Sequence, residues 1–409
     1  MTAWTEPAGP DDAVDGVVPA LVARPSSVAE VQAEVRTAAA AGRALVVAGR
    51  GAHLAIGAPP RRLDVLLRLD RLDRVLAHEA ADMTVTVEAG CPLDRLARAL
   101  AAARQWLPLD PPHPEATTVG GLVATNLSGP LRASQGTVRD LLLGLRVVGA
   151  DGALVAGGGR VVKNVAGYDL PKLHVGALGT VGVIVEATFK VRPRFACEEA
   201  VVIACPDARS AAEAAIAVRD AAEPLWLEAA GAGVVGDRAT VVAGLGGLAE
   251  EVAEGRSAVL AVAAARGLEA IAVADGAGLR TRLGAFPLEP AAAVLRAAVL
   301  PLDVGEALDA VEATARAQRA RVRWVAHASC GIVRVAVEEA AAVATLVAAL
   351  RPRVAAREGT FVVERAAAAV KRGLDVWGDV GGGLGLMRRL KAAFDPAGTF
   401  APGRFVGGL

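Results

Sequence analysis

Apolar positions first show a period in SSVAEVQAEVRTAAAAG (residues 26–42), where Val28, Val31 and Val35 recur at helical spacing. Ser27 and Glu30 form an S-x-x-E capping box at its start, so the pattern predicts a helix that ends at Gly42. RALVVAG (43–49) is then apolar almost without a break, as a buried strand is, and opens into a glycine loop, GRGAHLAIGAPP. A second unit follows. TVTVEAG (84–90) alternates like a strand, and PLDRLARALAAAR (92–104) reads as a helix with Pro92 in its first turn, where a missing N–H costs little. GLRVVGADG (144–152) predicts one arm of a hairpin, and VGVIVEATFKVRP (181–193) a strand closed by proline. Between them, QWLPLDPPHPEATTVGGLVATNLSG is so rich in Pro, Gly and Thr that it predicts a long irregular loop, and such loops usually carry function.

From about residue 197 the register changes. Strand-like AVVIAC, LWLEAAG, ATVVAGL and GIVRVAVE alternate with the alanine-rich helical stretches PDARSAAEAAIAVRDA and EEAAAVATLVAALRPRV. That alternation predicts an α+β layer with helices on one face of a sheet. The last periodic stretch, in LMRRLKAAFDPAGTFAPGRF, is a basic amphipathic helix stopped at Asp395-Pro396.

Composition sharpens this picture in three ways. A length of 409 residues exceeds the roughly 250–300 residues that one core serves, so two or three domains are expected. Lys plus Arg and Asp plus Glu balance at 44 each, and no basic run with interleaved aromatics appears, which argues against a nucleic-acid partner. The four cysteines, Cys91, Cys197, Cys205 and Cys330, are scattered without the spacing of a zinc or iron–sulfur site, so no metal is expected. There is no signal-like segment at the amino end and no run of about 18 apolar residues, and the expected location is cytoplasmic.

Three segments carry candidate chemistry. Gly49-Arg50-Gly51-Ala52-His53-Leu54 follows a strand and approximates a dinucleotide fingerprint, with Asp70 further on. Leu54 replaces its third glycine, however, and Pro59 and Pro60 forbid the phosphate-facing helix. Taken alone the loop is a turn between strands, or an anion nest of backbone N–H groups for a pyrophosphate. The second segment, TTVGGLVATNLSG (117–129), offers Thr117, Thr118, Asn126 and Ser128 for hydrogen bonding, while Gly120 and Gly121 let a flat ligand approach the backbone. The third, KNVAGYDLPKLHVGALGTVGVI (163–184), holds the only tyrosine, Tyr168, with Gly167, Gly176, Gly179 and Gly182.

In this order, and followed by FDPAGTFAPGR, these segments resemble the vanillyl-alcohol-oxidase, or PCMH, type of FAD-binding flavoproteins, and within it the FAD-binding E-type subunits of bacterial glycolate oxidases. The resemblance is continuous over about 20–195 and returns at 388–405. It implies an α+β chain: a PCMH-type FAD-binding domain of two α+β subdomains (13–195), a smaller α+β cap domain with an antiparallel sheet (196–370), and a C-terminal segment (371–409) that returns to the FAD domain. Gly49, Arg50, Gly51, Ala52 and His53 would then surround the FAD pyrophosphate. Pro111, Thr118, Val119, Gly120, Gly121, Ala124, Ser128 and Gly129 would line the ring and ribityl chain, and Val183 and Ile184 the nucleotide half. Tyr168 and Asp169 become either a buried polar pair beneath the flavin or, for Tyr168, a core anchor.

The resemblance further implies a glycolate oxidase assembly that makes glyoxylate, its partners being a D-type FAD-dependent hydroxy-acid dehydrogenase subunit and an iron–sulfur subunit that receives electrons. Two alternatives stand beside it. One is a self-sufficient FAD-dependent dehydrogenase of a 2-hydroxy acid of the D-lactate type, with His327 or His174 as base, and the other is a scaffold that kept the fold without the chemistry. GRGAHLAIG lacks the Arg-x-Gly-Gly-His of covalent relatives, so the expected FAD is noncovalent. His327-Ala-Ser-Cys-Gly stands where D-type relatives carry a His-Gly-Asp-Gly-Asn motif, and Ala401-Pro402-Gly403 stands where Asn-Pro-Gly is common. His78 is expected to be solvated, and His113 and His174 to flank the flavin site or else merely to cap a loop.

Overall fold

The computed structural model describes residues 2–159 and 169–409, which divide into two compact units. The first comprises 1–127, 137–194 and 379–409, and the second 128–136 and 195–378.

The first unit holds two main sheets. In one, β1 (Thr5–Pro7), β2 (Leu21–Ala23), β3 (Leu45–Ala48) and β4 (Val65–Arg68) lie in the order β1-β2-β4-β3, with β4 parallel to both β2 and β3. Helix α1 (Val28–Ala40) connects β2 to β3, which both run parallel to the β4 between them, and strands of one sheet that run the same way require a crossover. Only half of the expected capping box forms: the Ser27 hydroxyl accepts the Glu30 N–H at 3.3 Å, while the Glu30 carboxylate accepts the N–H of Ser26 rather than of Ser27, at 2.6 Å. Val31, Val35 and Ala38 form its buried stripe. Glu34 is also buried, and the Trp4 indole N–H satisfies it at 3.0 Å.

The other sheet is antiparallel throughout. It comprises β5 (Val75–Glu79), β6 (Thr84–Glu88), β8 (Leu142–Val148), β9 (Leu154–Gly158) and β10 (Val183–Lys190), in the order β5-β6-β10-β8-β9, while β7 (Gln105–Trp106) and β11 (Arg192–Pro193) make a separate short ribbon. Helix α2 (Leu93–Ala101) buries Leu93, Leu96 and Leu100. Residues 117–129 are not the irregular loop the composition predicts. Val119–Thr125 form helix α3, capped by the Thr118 hydroxyl, and Asn126 ends it in the left-handed conformation. Burial of Val119, Leu122 and Val123 along one face outweighs the poor helix propensity of the two glycines.

After the helix Gly383–Phe394 the chain docks beside β3. The Leu45 N–H donates to the Thr399 carbonyl and the Ala401 N–H to the Leu45 carbonyl, both at 2.7 Å. A buried clamp holds this return. Asp395 accepts the backbone N–H groups of Thr399 (2.9 Å) and Phe400 (2.8 Å), and pairs with Lys391 at 2.6 Å. The Lys391 ammonium also donates to the Thr180 and Phe400 carbonyls at 2.7 Å each. Burial lowers its pKa, opposed by the Asp395 carboxylate.

The second unit is built on one antiparallel sheet: β12 (Cys197–Cys205), β13 (Trp226–Ala230), β14 (Ala239–Gly247), β15 (Ala270–Val273), β16 (Ala293–Ala298), β17 (Val322–His327), β18 (Ile332–Val337) and β19 (Thr360–Ala366). Their order is β15-β12-β14-β13-β17-β18-β16-β19. The helices Ala249–Ala265, Ala208–Ala222, Val304–Ala317 and Ala340–Ala355 pack in that lateral order along one face. Alanines carry much of this contact, with Ala211, Ala212, Ala214 and Ala215 all buried. Among the described residues no helix is long and apolar enough to cross a membrane.

Candidate functional site

Where β3 ends at Ala48, the chain turns through Gly49–Leu54 and forms one wall of an open cleft. Gly51 takes φ +88°, a region L side chains rarely enter. Gly49 lies so close to α3 that a Cβ there would meet the Thr118 hydroxyl at 2.1 Å. The opposite wall is the start of α3. Its Gly120 N–H donates to the Ala89 carbonyl at 2.7 Å, and its Gly121 N–H to the Thr118 hydroxyl at 3.3 Å.

The glycine loop is tied at both ends. The Thr117 hydroxyl donates to the Pro112 carbonyl at 2.7 Å and so accepts from His53 Nε2–H at 2.8 Å, which places the proton of that ring on Nε2. Arg50 donates to the Glu115 carbonyl at 2.8 Å. Further along, the buried Arg404 guanidinium donates to the carbonyls of Leu54 (2.7 Å) and Ile56 (2.6 Å). Sequence reasoning missed Arg404. Its only signal was its position two residues after Pro402 in the tail segment.

Gly49, Arg50, Gly51, Ala52, His53, Thr118, Gly120, Gly121, Ala124 and Ile184 come together around this cleft, joined by Thr125, Leu178, Gly179, Gly182 and Arg404. Val119 and Val183 do not line it: both are fully buried in the core, and β10 alternates so that Ile184 alone of that pair reaches the cleft. Pro111 is buried outside the lining. Ser128 and Gly129 belong to the second unit, where the Ser128 hydroxyl is buried without a hydrogen-bond partner among the described residues. Gly167 and Tyr168 lie outside the described residues. Asp169 is no buried partner for a phenol, because it is exposed and pairs with Lys172.

The remaining histidines separate clearly. His78 is not simply solvated but bonds the Gln105 side chain at 2.8 Å, and the exposed His113 pairs with Glu115 at 3.1 Å. His174 sits among Leu145, Val147, Val181 and Phe394, behind Gly182 of the cleft lining but not itself in it, and burial pushes its pKa down to about 4. The folded state therefore resists a proton that the unfolded chain accepts from the ordinary value of 6.5 downward. Stability is full above that value and is lost as pH falls toward 4, by about 3 kcal/mol in all. Denaturant midpoints measured from pH 7 to 4.5 should decline less steeply in His174→Leu than in the parent. Identical slopes would remove His174 as the cause.

His327 belongs to a row of polar side chains crossing five strands of the second unit. On one side of the ring, Nδ1–H donates to the fully buried Glu228 of β13, and on the other Nε2 accepts from Arg334 of β18 at 2.6 Å. Arg334 in turn grips Glu364 of β19 through two bonds of 2.7 and 3.3 Å. Burial, then the Arg334 and Arg132 guanidiniums, hold the imidazole pKa well below its usual range. The ring is neutral with both nitrogens engaged, so it is not free to take a proton from a substrate. Among the described residues no group of three His, Cys, Asp or Glu side chains is placed to hold a metal ion.

Comparison with known proteins bears on the cleft. Residues 19–158 match the family described as FAD binding domain. The chain is 40% identical over 151 residues to glycolate oxidase subunit GlcE of Escherichia coli (strain K12), a match covering 37% of this chain and 43% of that one. It is 38% identical over 173 residues to a D-2-hydroxyglutarate dehydrogenase of Xanthomonas citri pv. viticola (42% and 37% covered), and 33% identical over 210 residues to a D-lactate dehydrogenase of Archaeoglobus fulgidus (51% and 46%). The chain thus spans less than half the length of each of these relatives. Among solved structures, an alkyldihydroxyacetonephosphate synthase superposes with a TM-score of 0.71 over 94% of this chain and 77% of its own, at 19% identity, which is likeness in fold alone.

Proposed function

From the membership of this chain in the PCMH-type FAD-binding proteins, and the FAD that its first unit therefore binds, we propose that the protein is an FAD-dependent oxidoreductase of a small 2-hydroxy acid. The cleft supports this reading, because its walls are a glycine-rich loop and a helix start set close together by Gly49 and Thr118. In this reading the backbone N–H groups of Gly49–His53 hold the pyrophosphate. Gly120 and Gly121 present backbone to the flat ring, Ile184 supplies an apolar wall, and Arg404 keeps the loop from opening. Bound FAD would supply the two-electron acceptor. The relatives named above that act on D-2-hydroxyglutarate and D-lactate favour a self-sufficient dehydrogenase.

A second reading rests on the similarity to GlcE and on His327 and His174. With one ring locked between Glu228 and Arg334 and the other in an apolar pocket, neither is an open base, which favours a subunit working with a D-type dehydrogenase and an iron–sulfur partner. Anaerobic titration of the FAD-loaded chain with glycolate or D-lactate separates the two. Bleaching of the flavin by the chain alone supports the self-sufficient enzyme, and bleaching only after the partners are added supports the subunit. A flavin that stays oxidised in both cases would leave a scaffold. Acid denaturation should also release all FAD into the supernatant, since His53 Nε2–H is engaged by Thr117. A yellow pellet would instead reveal a covalent link.

A further inference from the structure

The sheet of the second unit ends differently at its two edges. On β19, the Val363 N–H donates to the Val376 carbonyl at 2.7 Å and the Phe361 carbonyl accepts from Arg351 at 3.3 Å, so the chain itself covers this edge. At the other edge β15 is bare. The Ala204 N–H of β12 donates to the Glu269 carbonyl at 2.9 Å, which sets the pairing. Glu269, Ile271 and Val273 turn their backbone polar groups toward β12, and Ala270 and Ala272 turn theirs outward. Among the described residues nothing bonds those outward groups. Every residue of β15 is at least partly exposed, Ile271 to 64%. Natural edges are blunted by a charge, a proline, a bulge or shortness, and β15 has only the last, since Ala-Ile-Ala-Val pairs with β12 without a register shift.

We propose that β15 is a two-fold interface at which a second copy of this chain continues the sheet, antiparallel across a dyad at Ile271. In that register Ala270 lies opposite Ala272 of the second copy, and each such pair exchanges both of its backbone bonds. Ile271 meets its own counterpart at the unbonded position, where facing side chains approach most closely. The charges suit a copy of the same strand. Glu269, 86% exposed and no nearer than 3.6 Å to Arg238, falls opposite Val273 of the second copy. Val273 lines a dent together with Ile271, Leu279 and Arg282, and Arg282 makes no hydrogen bond or ion pair among the described residues. Two acids border the same dent. Asp275 is engaged as the cap of the helix Gly276–Ala285, accepting the Gly278 N–H at 2.8 Å, and Asp237 belongs to the turn before β14, at the Glu269 end of the strand. Each copy therefore brings an exposed carboxylate to the dent that holds the other's unspent guanidinium. Because the β19 edge is covered and the dyad uses up the β15 edge, assembly closes at two copies.

Sedimentation of the FAD-loaded full chain across the micromolar range should show a monomer–dimer equilibrium with no larger species. Ala272→Pro deletes an outward N–H that no internal bond uses. It should raise the dimer dissociation constant by roughly tenfold or more, with FAD content unchanged and the monomer still folded. Ile271→Lys should do the same by setting two ammonium groups against each other at the dyad. Glu269→Arg and Arg282→Glu should each weaken the dimer, and the two together should restore it, a rescue that a purely apolar contact does not predict. Should Ala272→Pro not fold, Ile271→Lys and the charge exchange still decide. A monomer at every concentration overturns the proposal, even where an added apolar peptide binds the edge, since the occupant is then another protein's strand. A dimer that Ala272→Pro and Ile271→Lys both leave intact overturns it as well, and so does growth beyond two copies.

Discussion

Asp395→Ala should destabilise the protein by about 3 kcal/mol or more and loosen FAD in the same step. The carboxylate is completely buried, and the Lys391 side chain retains only 13% of its exposure. Removing Asp395 strands a desolvated ammonium with two carbonyls for company and leaves the N–H groups of Thr399 and Phe400 without their acceptor. The tail that these bonds fix pairs with Leu45 on β3 and carries Arg404, which holds the Leu54 and Ile56 carbonyls of the glycine loop. Loss of the clamp therefore reaches the cleft. Thermal melts and FAD dissociation constants measured on the same preparations test the link, with Asp395→Asn expected to fall between because its amide oxygen still accepts from backbone. A large stability loss with unchanged FAD affinity would show that the tail and the cleft are independent.

Gly121→Val should weaken FAD binding by about ten- to a hundredfold while the fold survives. A Cβ at this position would lie 3.2 Å from the Thr118 hydroxyl and is otherwise open, so the backbone tolerates it, but the two methyls beyond it must enter the cleft. Overpacking of this kind costs about 1–3 kcal/mol, and here ligand affinity carries that cost. Fluorescence titration of the apoprotein gives the number. Equal affinity in variant and parent would place the cofactor elsewhere.

The parts of the fold written in local pattern were legible. The Ser27 cap, the Val31 and Val35 stripe and the hairpin after Gly144 need only near neighbours. Helix α3 was hidden because Gly120, Gly121 and three threonines carry the composition of a loop, although Val119, Leu122 and Val123 keep helical spacing beneath it. The walls of the cleft could be read because glycine is what a close backbone approach demands. Val183 could not be told from Ile184, since the strand opens with the unbroken apolar run Val183, Ile184 and Val185, which shows no alternation. The grip of Arg404 on Leu54 and the row from Glu228 to Glu364 join residues far apart in the chain, and only strand register or the docked tail brings them together. Spacing along the sequence carries no trace of such pairs.

The interrupted path of the first unit also sets an order of assembly. Residues 195–378 separate its two sheets from the tail that completes them. During synthesis the glycine loop leaves the ribosome long before Asp395, Lys391 and Arg404 exist to secure it, and the second unit, contiguous but for 128–136, is made in between. A nascent chain arrested before residue 404 would hold both walls of the cleft but not its fastening. Cofactor capture is thereby deferred until Arg404 has been translated, and the flavin becomes a reporter that the glycine loop and the later segment have met.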